Sequence, residues 1–404
     1  MFLAGMLVFT TASLACALAP GFSWLLAARA LQGVGAAFLM PASLAILGAA
    51  FSGEARGRAV GTWAAAGAVT GALGPLIGGW LIDAVGWRAI FLINLPIAAV
   101  AFWLAWRNVD DSRSDDAAPL DWGGAALATV GLGLLTFGLT TFAAHTASGA
   151  VATASSGVAA AAFLAGAVLL VGFVGLEARL GARAMMPLVL FGTRSFVGAS
   201  LLTFFLYAAL GGMLVLLPYL LIAGGGFSAA AAGGAMLPLS LAMGLGSRAA
   251  GRLAERTGPR LLLTVGPAIV AAGFALFLRI GAGEVSYVRD VLPALVVIAI
   301  GLALSVAPLT AAVMAAVDAG HVGSASGVNN AIARVAGLIA TATLGFVLAG
   351  EPRGERLVAG AHGAAWVGCA LALLAALSAW LLIAPRPTVN AGASAGRRSK
   401  RRDR

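Results

Sequence analysis

The side chain best placed for unusual chemistry is an arginine inside a long apolar stretch. Arg29 lies in LLAARALQGVGAA, and Gln32 and Gly33 follow it at positions that share its helical face. A charge inside a bilayer costs at least about 2.5–3.5 kcal/mol on insertion scales, so it normally faces protein or water. Two interpretations follow. Arg29 and Gln32 form a polar site within the protein, or Arg29 extends to the outer membrane interface as long basic side chains do.

The composition explains why an arginine at this position is unusual. Hydrophobic residues make up 61% of the 404 residues and charged residues 10%, whereas soluble domains carry about 25% charged residues. We therefore predict an all-α polytopic membrane protein, in which each span needs about 20 apolar residues. Apolar stretches of this kind lie at residues 2–19, 22–50, 59–82, 89–106, 122–143, 157–176, 196–222, 228–247, 261–280, 290–317, 322–349 and 362–384.

Arginine supplies nearly all of the net charge of +10. It is concentrated in alternate loops and in the basic tail 386–404, so the positive-inside rule predicts a multi-pass cell-membrane protein with both termini cytoplasmic. A loop distribution of this kind also argues against a nucleic-acid partner. Cys16 and Cys369 lie in apolar stretches, and no histidine is followed by a second ligand at position i+3 or i+4. We therefore expect no metal and no cofactor.

A stripe of glycines marks one face of the stretch 59–82. Its spacing of four, three and four residues follows the helical repeat, and a proline lies inside it. Small residues let two membrane helices approach closely, and the proline bends the helix that carries it. We predict a bent, close-packed helix. The residues of this motif are Gly67, Gly71, Gly74, Pro75, Gly78 and Gly79.

The glycine stripe is followed in order by Trp87, Arg88, Phe91, Asn94 and Pro96. This combination resembles the antiporter motif of the major facilitator superfamily, in its fourteen-span drug:proton antiporter branch. The R-x-x-Q-G pattern at Arg29 resembles the second motif of that family, whose arginine is implicated in proton coupling. The resemblance implies a major facilitator fold with two pseudo-symmetric helical bundles.

A third pattern lies in the basic loop 251–260. It resembles the first motif of the family, GxLaDrxGrr, with Glu255 in place of the aspartate and Pro259 in place of the first late basic residue. In the family this loop latches the cytoplasmic gate. A solvated basic loop that follows the positive-inside rule remains the alternative. The inner gate residues would be Gly251, Arg252, Glu255, Arg256, Gly258 and Arg260.

An internal repeat suggests the domain organisation. The stretches that begin at Gly33 and Gly301 each carry a mid-helix proline, then a short polar loop and a glycine-rich helix. The second half has two further helices before its copy, so we expect the first bundle to lack about two helices. The predicted domains are an incomplete four-helix N-terminal bundle, a linker with an inserted helix pair, a six-helix C-terminal bundle and a basic cytoplasmic tail. Their bounds are 1–107, 108–192, 193–385 and 386–404.

Four residues are candidates for a substrate cavity. Phe204 and Tyr207 lie in an aromatic stretch, and aromatic side chains suit an adaptable apolar cavity. Asn330 and Arg334 share one face of a helix, and Arg334 lies about twelve residues in, near the bilayer centre, where reaching the interface is hardest. A core or lipid-facing role for the aromatic pair, and a structural hydrogen-bonding role for the polar pair, remain open.

The leading functional hypothesis is a monomeric secondary active transporter that exports small amphipathic molecules, of the multidrug or antibiotic type, by proton-coupled alternating access. The proton-coupling candidates are Arg29, Gln32 and Asp83. No aspartate or glutamate lies at mid-membrane, which predicts that the chain as written does not couple export to a proton gradient. The alternative is a truncated, transport-incompetent fragment, or an incorrectly assigned start, of such a transporter. An intramembrane enzyme is disfavoured because no nucleophile, metal or phosphate-binding motif is present.

Overall fold

The computed structural model describes residues 2–51, 53–109, 121–147, 154–181, 184–281, 285–318, 321–348 and 354–385. Within these ranges the chain is helical and contains no strand. Nine helical stretches of the described residues are long and apolar enough to cross a membrane, and two of them, 89–108 and 229–247, each combine two of the helices named below. The predicted all-α membrane class is therefore confirmed. The α-helices are α1 Phe2–Ala17, α2 Phe22–Ala50, α3 Gly53–Ala84, α4 Ala89–Leu92, α5 Asn94–Asn108, α6 Trp122–Ala147, α7 Ala154–Leu180, α8 Arg194–Tyr219, α9 Ala229–Gly234, α10 Leu237–Thr257, α11 Pro259–Leu276, α12 Leu292–Ala315, α13 Val322–Leu348 and α14 Glu355–Leu382.

Two predicted stretches are divided in the structure. The stretch 89–106 forms α4 and α5, and the stretch 228–247 forms α9 and the first half of α10. Helix α10 then continues to Thr257, so most of the predicted loop 251–260 is helical. The prediction of a loop there was wrong because leucine, alanine, arginine and glutamate, which favour helix, outweigh one interior glycine. The helix ends at Gly258, whose φ of 84° favours glycine.

The described chain divides into two compact units, each with its own packing. The first consists of residues 1–117 and 226–240. In it α1 lies along α2, α4 and α5 pack on α1, and α9 packs on α3. Helices α1 and α2 are joined by a short turn and cross where glycine permits close approach. A Cβ on Gly35 would stand 2.7 Å from the Cα of Phe9, and one on Gly5 would stand 2.7 Å from the Cβ of Phe38.

The second unit consists of residues 118–225 and 241–404. Helix α6 pairs with α7, α11 pairs with α12, and α8 packs on both α13 and α14. The α11–α12 pair also crosses at glycine, because a Cβ on Gly301 would stand 2.8 Å from the backbone nitrogen of Val270. Large fully buried side chains form the core of this unit, among them Leu263, Leu295, Ile298 and Leu302.

Candidate functional site

A buried polar network in the first unit surrounds the hydroxyl of Ser13. Gln32 Nε2 and Asn94 Nδ2 each donate to Ser13 Oγ over 2.9 Å, and Ser13 Oγ donates to the carbonyl of Phe91 over 3.1 Å. Ser13 is fully buried and Gln32 is 3% exposed. A hydroxyl provides one donor and two acceptor sites, so this one is saturated. The network joins α1, α2, α4 and α5 at a single point.

Arg29 forms the outer edge of this network. Its Nη1 donates to Gln32 Oε1 over 2.7 Å, and its guanidinium lies 5.8 Å from the centre of the Phe91 ring. The side chain is exposed, and within the described residues no carboxylate forms an ion pair with it. The structure thus brings Arg29 and Gln32 together, with Gln32 inside the protein and Arg29 at its surface.

Sequence reasoning did not assign Ser13 or Asn94 to this site. Asn94 was visible as part of the motif that follows the glycine stripe, but its partner was not. That part of the chain forms α4 and the start of α5, where Trp87 packs edge-on against Phe91 with ring centres 6.1 Å apart. Arg88 Nη2 donates to the carbonyl of Ala19 over 3.0 Å. Ser13 carries no sequence signal, because a serine in an apolar helix has no periodic pattern of its own.

Asp83 does not join the network. It lies at the end of α3, beyond the predicted span 59–82, and caps the N-terminus of α9. Its Oδ2 accepts the N–H of Ala230 over 2.7 Å and its Oδ1 accepts the N–H of Ala229 over 3.1 Å. Ser228 completes the cap by accepting the N–H of Ala231 over 3.2 Å. The hydrogen bond from Ala230, with those from Ser228 and Ala229, lowers the pKa of the Asp83 carboxyl, because such bonds favour the charged form.

The close-packed face of α3 is not the one that the glycine stripe predicted. A Cβ on Gly79 would stand 2.6 Å from the carbonyl carbon of Ala229, and one on Gly233 would stand 2.6 Å from the carbonyl carbon of Pro75. By contrast, a Cβ on any of the four stripe glycines would meet no described atom within 4 Å. The predicted seam is therefore corrected, because α9 lies against the side of α3 that carries Pro75 and Gly79, one turn apart. The four open positions are Gly67, Gly71, Gly74 and Gly78.

The predicted gate sequence has a different arrangement from the one expected. Arg252, Glu255 and Arg256 are exposed on the last turns of α10, and none forms an ion pair within the described residues. Gly251 is helical rather than a turn. Arg260 instead lies over the ring of Trp380, 4.4 Å from its centre. The backbone of Gly258 approaches the carbonyl of Pro385 so closely that a Cβ would overlap it. This sequence is therefore anchored to the end of α14 within the same unit.

The second unit contains an apolar cavity of about 340 Å³ between α8, α11, α13 and α14. Among the described residues that line the cavity, Thr343 alone has a side-chain hydroxyl, and this hydroxyl donates to carbonyls of its own helix. The wall therefore offers little polar surface to a ligand. The wall includes Phe204, Gly212, Phe274, Phe277, Thr343 and Leu371.

Only one of the four residues predicted for a substrate cavity lines this space. Phe204 does so, and Tyr207 packs beside it against Ala336 and Ala340 of α13. Asn330 and Arg334 are exposed and do not belong to the cavity wall. A neighbour makes the helix contact instead, because Thr203 Oγ1 donates to Asn329 Oδ1 over 2.6 Å.

These features define a polytopic helical protein whose described residues include a buried polar network and an apolar cavity. Residues 1–341 match the model of the Major Facilitator Superfamily, so the chain belongs to that family. It is 33% identical over 364 residues to the multidrug resistance protein Stp of Mycobacterium tuberculosis, covering 88% of this chain and 66% of Stp. It is 33% identical over 390 residues to the methylenomycin A resistance protein of Streptomyces coelicolor, covering 95% and 78%. It is 34% identical over 381 residues to the cephamycin export protein CmcT of Amycolatopsis lactamdurans, covering 93% and 76%.

Solved structures agree on the fold. A peptide transporter POT in complex with sulfate superposes with a TM-score of 0.66 at 15% identity, covering 96% of this chain and 80% of that one. A bacterial homologue of the lysosomal transporter Spinster gives a TM-score of 0.59 at 18% identity, covering 94% and 82%. The predicted superfamily and its helical membrane fold are confirmed, whereas the fourteen-span branch and the incomplete first bundle stay predictions. The chain spans 66% of the length of Stp.

Proposed function

We propose that this chain acts in a secondary active transporter that exports small amphipathic molecules across the cell membrane by alternating access. The observation that carries the proposal is the apolar cavity of the second unit, with phenylalanine rings and almost no polar surface in its wall. Cavities of a few hundred Å³ with apolar and aromatic walls suit small amphipathic ligands. The names of relatives, which include multidrug resistance and cephamycin export, point to the same substrate class.

The substrate would contact Phe204 in the cavity, with Tyr207 supporting the wall from behind. Asn330 and Arg334 lie on α13, which also contributes Ile339 to the wall. In this proposal they meet the polar end of a substrate outside the cavity. An exposed arginine and amide on a helix that borders an apolar space suit a molecule with one polar end.

Any coupling to a proton gradient is assigned to Arg29 and Gln32 as groups that sense and relay charge, because a guanidinium stays protonated and an amide does not titrate, so neither carries the proton itself. The exposed guanidinium can respond to a nearby charge, and Gln32 passes that response to Ser13 through hydrogen bonds. Asp83 is the titratable member of the three candidates, but its cap on α9 favours the charged carboxylate and so opposes proton uptake. We assign it to holding α3 against α9.

The domain proposal follows the repeat. Residues 1–107 would form one bundle, 108–192 a linker with an inserted pair, and 193–385 a second bundle, with the tail 386–404 on the cytoplasmic side. Both termini would be cytoplasmic and the working unit a monomer. The sequence from Gly251 to Arg260 would still act at the inner gate, with its anchor on α14 fixing where α11 begins.

A cavity-filling variant tests the function. At Gly212 in α8 the nearest atom to an added Cβ is Leu344 Cδ1, at 3.9 Å, so Gly212→Leu places its side chain in the cavity. Gly172→Leu in α7 is the matched control, because an added Cβ there meets nothing within 4 Å and Gly172 does not line the cavity. We expect ethidium efflux from energised cells to fall about 10-fold for Gly212→Leu and to remain unchanged for Gly172→Leu.

Expression and monodispersity of both variants are measured first, so that misfolding is separated from a blocked cavity. If Gly212→Leu misfolds, Gly363→Leu in α14 replaces it, since Gly363 also lines the cavity with open space around it. Equal efflux by a folded cavity variant and the control would show that the cavity is not on the export route. Efflux that continues after the proton gradient is collapsed would contradict only the proton coupling and would leave the export route through the cavity untouched.

A further inference from the structure

Two carboxyl groups of the second unit meet where α6 begins and α7 ends. Glu177 lies in the last turn of α7 and is fully buried, and Asp121 directly precedes α6. One oxygen of each carboxyl group already accepts a backbone hydrogen bond. Glu177 Oε2 accepts the N–H of Met186 over 2.6 Å, and Asp121 Oδ1 accepts the N–H of Gly124 over 2.8 Å.

The other two oxygens, Glu177 Oε1 and Asp121 Oδ2, are buried and have no hydrogen-bond partner within the described residues. Both reach the same point above the Cα of Gly124. A Cβ on Gly124 would stand 2.6 Å from Glu177 Oε1 and nearer still to Asp121 Oδ2. Only a glycine therefore allows the two carboxyl groups to converge here.

No nearby cation neutralises the pair within the described residues. Helix α6 carries no ionisable side chain before His145, and the described residues that follow α7, 184–192, carry none. The last turns of α7 offer Arg179, but its side chain is exposed and forms no ion pair with either acid. Two carboxylates at close range in an apolar site cannot both be ionised, and such pairs hold one proton between them.

We propose that Asp121 and Glu177 share one exchangeable proton in an O–H···O hydrogen bond, which makes the α6–α7 pair a proton-binding site. The proton fills the two orphaned acceptor positions and lets Glu177 keep its bond to the backbone of Met186. Removing the proton leaves two buried anions, and their repulsion loosens the contact between the start of α6 and the residues after α7.

Infrared spectroscopy of the full chain in lipid nanodiscs tests the proton directly. At neutral pH we expect a protonated-carboxyl C=O stretch in the wild type that shifts in D₂O and disappears in Glu177→Gln and in Asp121→Asn. Asp290→Asn is the matched control, because Asp290 pairs with Arg289 and accepts the N–H of Ser286, so it removes only a carboxylate band. If the acid band is absent from the wild type, or survives both variants, the proposal is overturned.

Thermal unfolding against pH gives a second measurement. The amide of Glu177→Gln can donate to Asp121 Oδ2 while its oxygen accepts from Met186, so this variant imitates the protonated pair. As pH rises and the proton leaves, the wild type should lose at least about 3 °C in unfolding temperature relative to Glu177→Gln. Asp121→Asn should behave in the same way. Parallel unfolding curves for the wild type and both variants would overturn the proposal. Stabilisation of the wild type by Na⁺, with no acid band in its infrared spectrum, would also overturn it, because a cation would then take the place of the proton.

Discussion

The α1–α2 pair and the α11–α12 pair share a scaffold but differ in chemistry. Each crosses at glycine, at Gly35 in the first pair and Gly301 in the second. In the first, the buried Ser13 bonds to side chains from two other helices. In the second, the buried Ser305 only donates to the carbonyl of Gly301, four residues back in its own helix. Close glycine crossings therefore build the pair, and the polar side chains placed on it decide whether it becomes a functional centre.

The shared scaffold is tested by Gly35→Val and Gly301→Val, which should give the largest effects. In each, the added Cβ meets a backbone atom less than 3 Å away, and overpacking of this kind costs about 3 kcal/mol or more where backbone cannot yield. We expect both variants to lose most of their folded yield, measured by size-exclusion chromatography of solubilised protein. Gly33→Val is the control, because a Cβ there meets nothing within 4 Å. If only one of the two variants loses its folded yield, the two helix pairs do not share the same scaffold.

A single added methyl group tests the corrected seam of α3. Gly79→Ala places a methyl group against the backbone of Ala229, whereas Gly74→Ala faces open space. We expect Gly79→Ala to cost about 1–3 kcal/mol, as overpacking typically does, and Gly74→Ala to be nearly neutral. Unfolding temperatures of the two purified variants provide the measurement. A larger loss for Gly74→Ala would restore the stripe as the packing face.

The chemical difference between the two pairs is tested by Ser13→Ala and Ser305→Ala. Removing the Ser13 hydroxyl leaves the amides of Gln32 and Asn94 without their common acceptor, and a buried unsatisfied donor costs about 1–3 kcal/mol. Removing the Ser305 hydroxyl frees a carbonyl that belongs to a continuous helix, so we expect less than about 1 kcal/mol. Thermal unfolding compares the two. Similar losses would show that the Ser13 network is only a packing feature.

The contrast between contacts within one helix and contacts between helices explains which features could be predicted from the sequence. Hydropathy identified the membrane class, and the span 22–50 coincides with α2, because apolar composition and helix length are local properties. The contact of Arg29 with Gln32 follows from helical spacing and was also foreseeable. Ser13 was not, because its three partners lie on other helices and only the folded crossing brings them together.

The packing face of α3 was missed for a related reason. Small-residue spacing shows that a helix has a face suited to close contact, but it does not show which neighbour arrives. The face with four glycines is open, and the contact forms through Gly79 and Pro75. In the predicted gate loop, helix-favouring residues extended α10 to Thr257, so the charged side chains expected to pair across a loop lie on a helical surface instead.

The smallest expected effect on stability concerns Asp83. Because Asp83 caps α9, its substitution tests whether its role is structural or proton-carrying. Its pKa is lowered in the folded protein, so its stabilising contribution is present at neutral pH and is lost as pH falls through that lowered value. The wild type should therefore lose a small amount of unfolding temperature on acidification relative to Asp83→Asn, which carries no charge to lose. Glu255→Gln, on an exposed turn of α10, is the control and should follow the wild type.

If Asp83 carried the coupled proton instead, Asp83→Asn would abolish proton-driven ethidium efflux while leaving the pH dependence of unfolding unchanged. Efflux near the wild-type level, together with a flatter acid limb of the unfolding curve, would assign Asp83 to the cap and leave coupling to the Arg29 network.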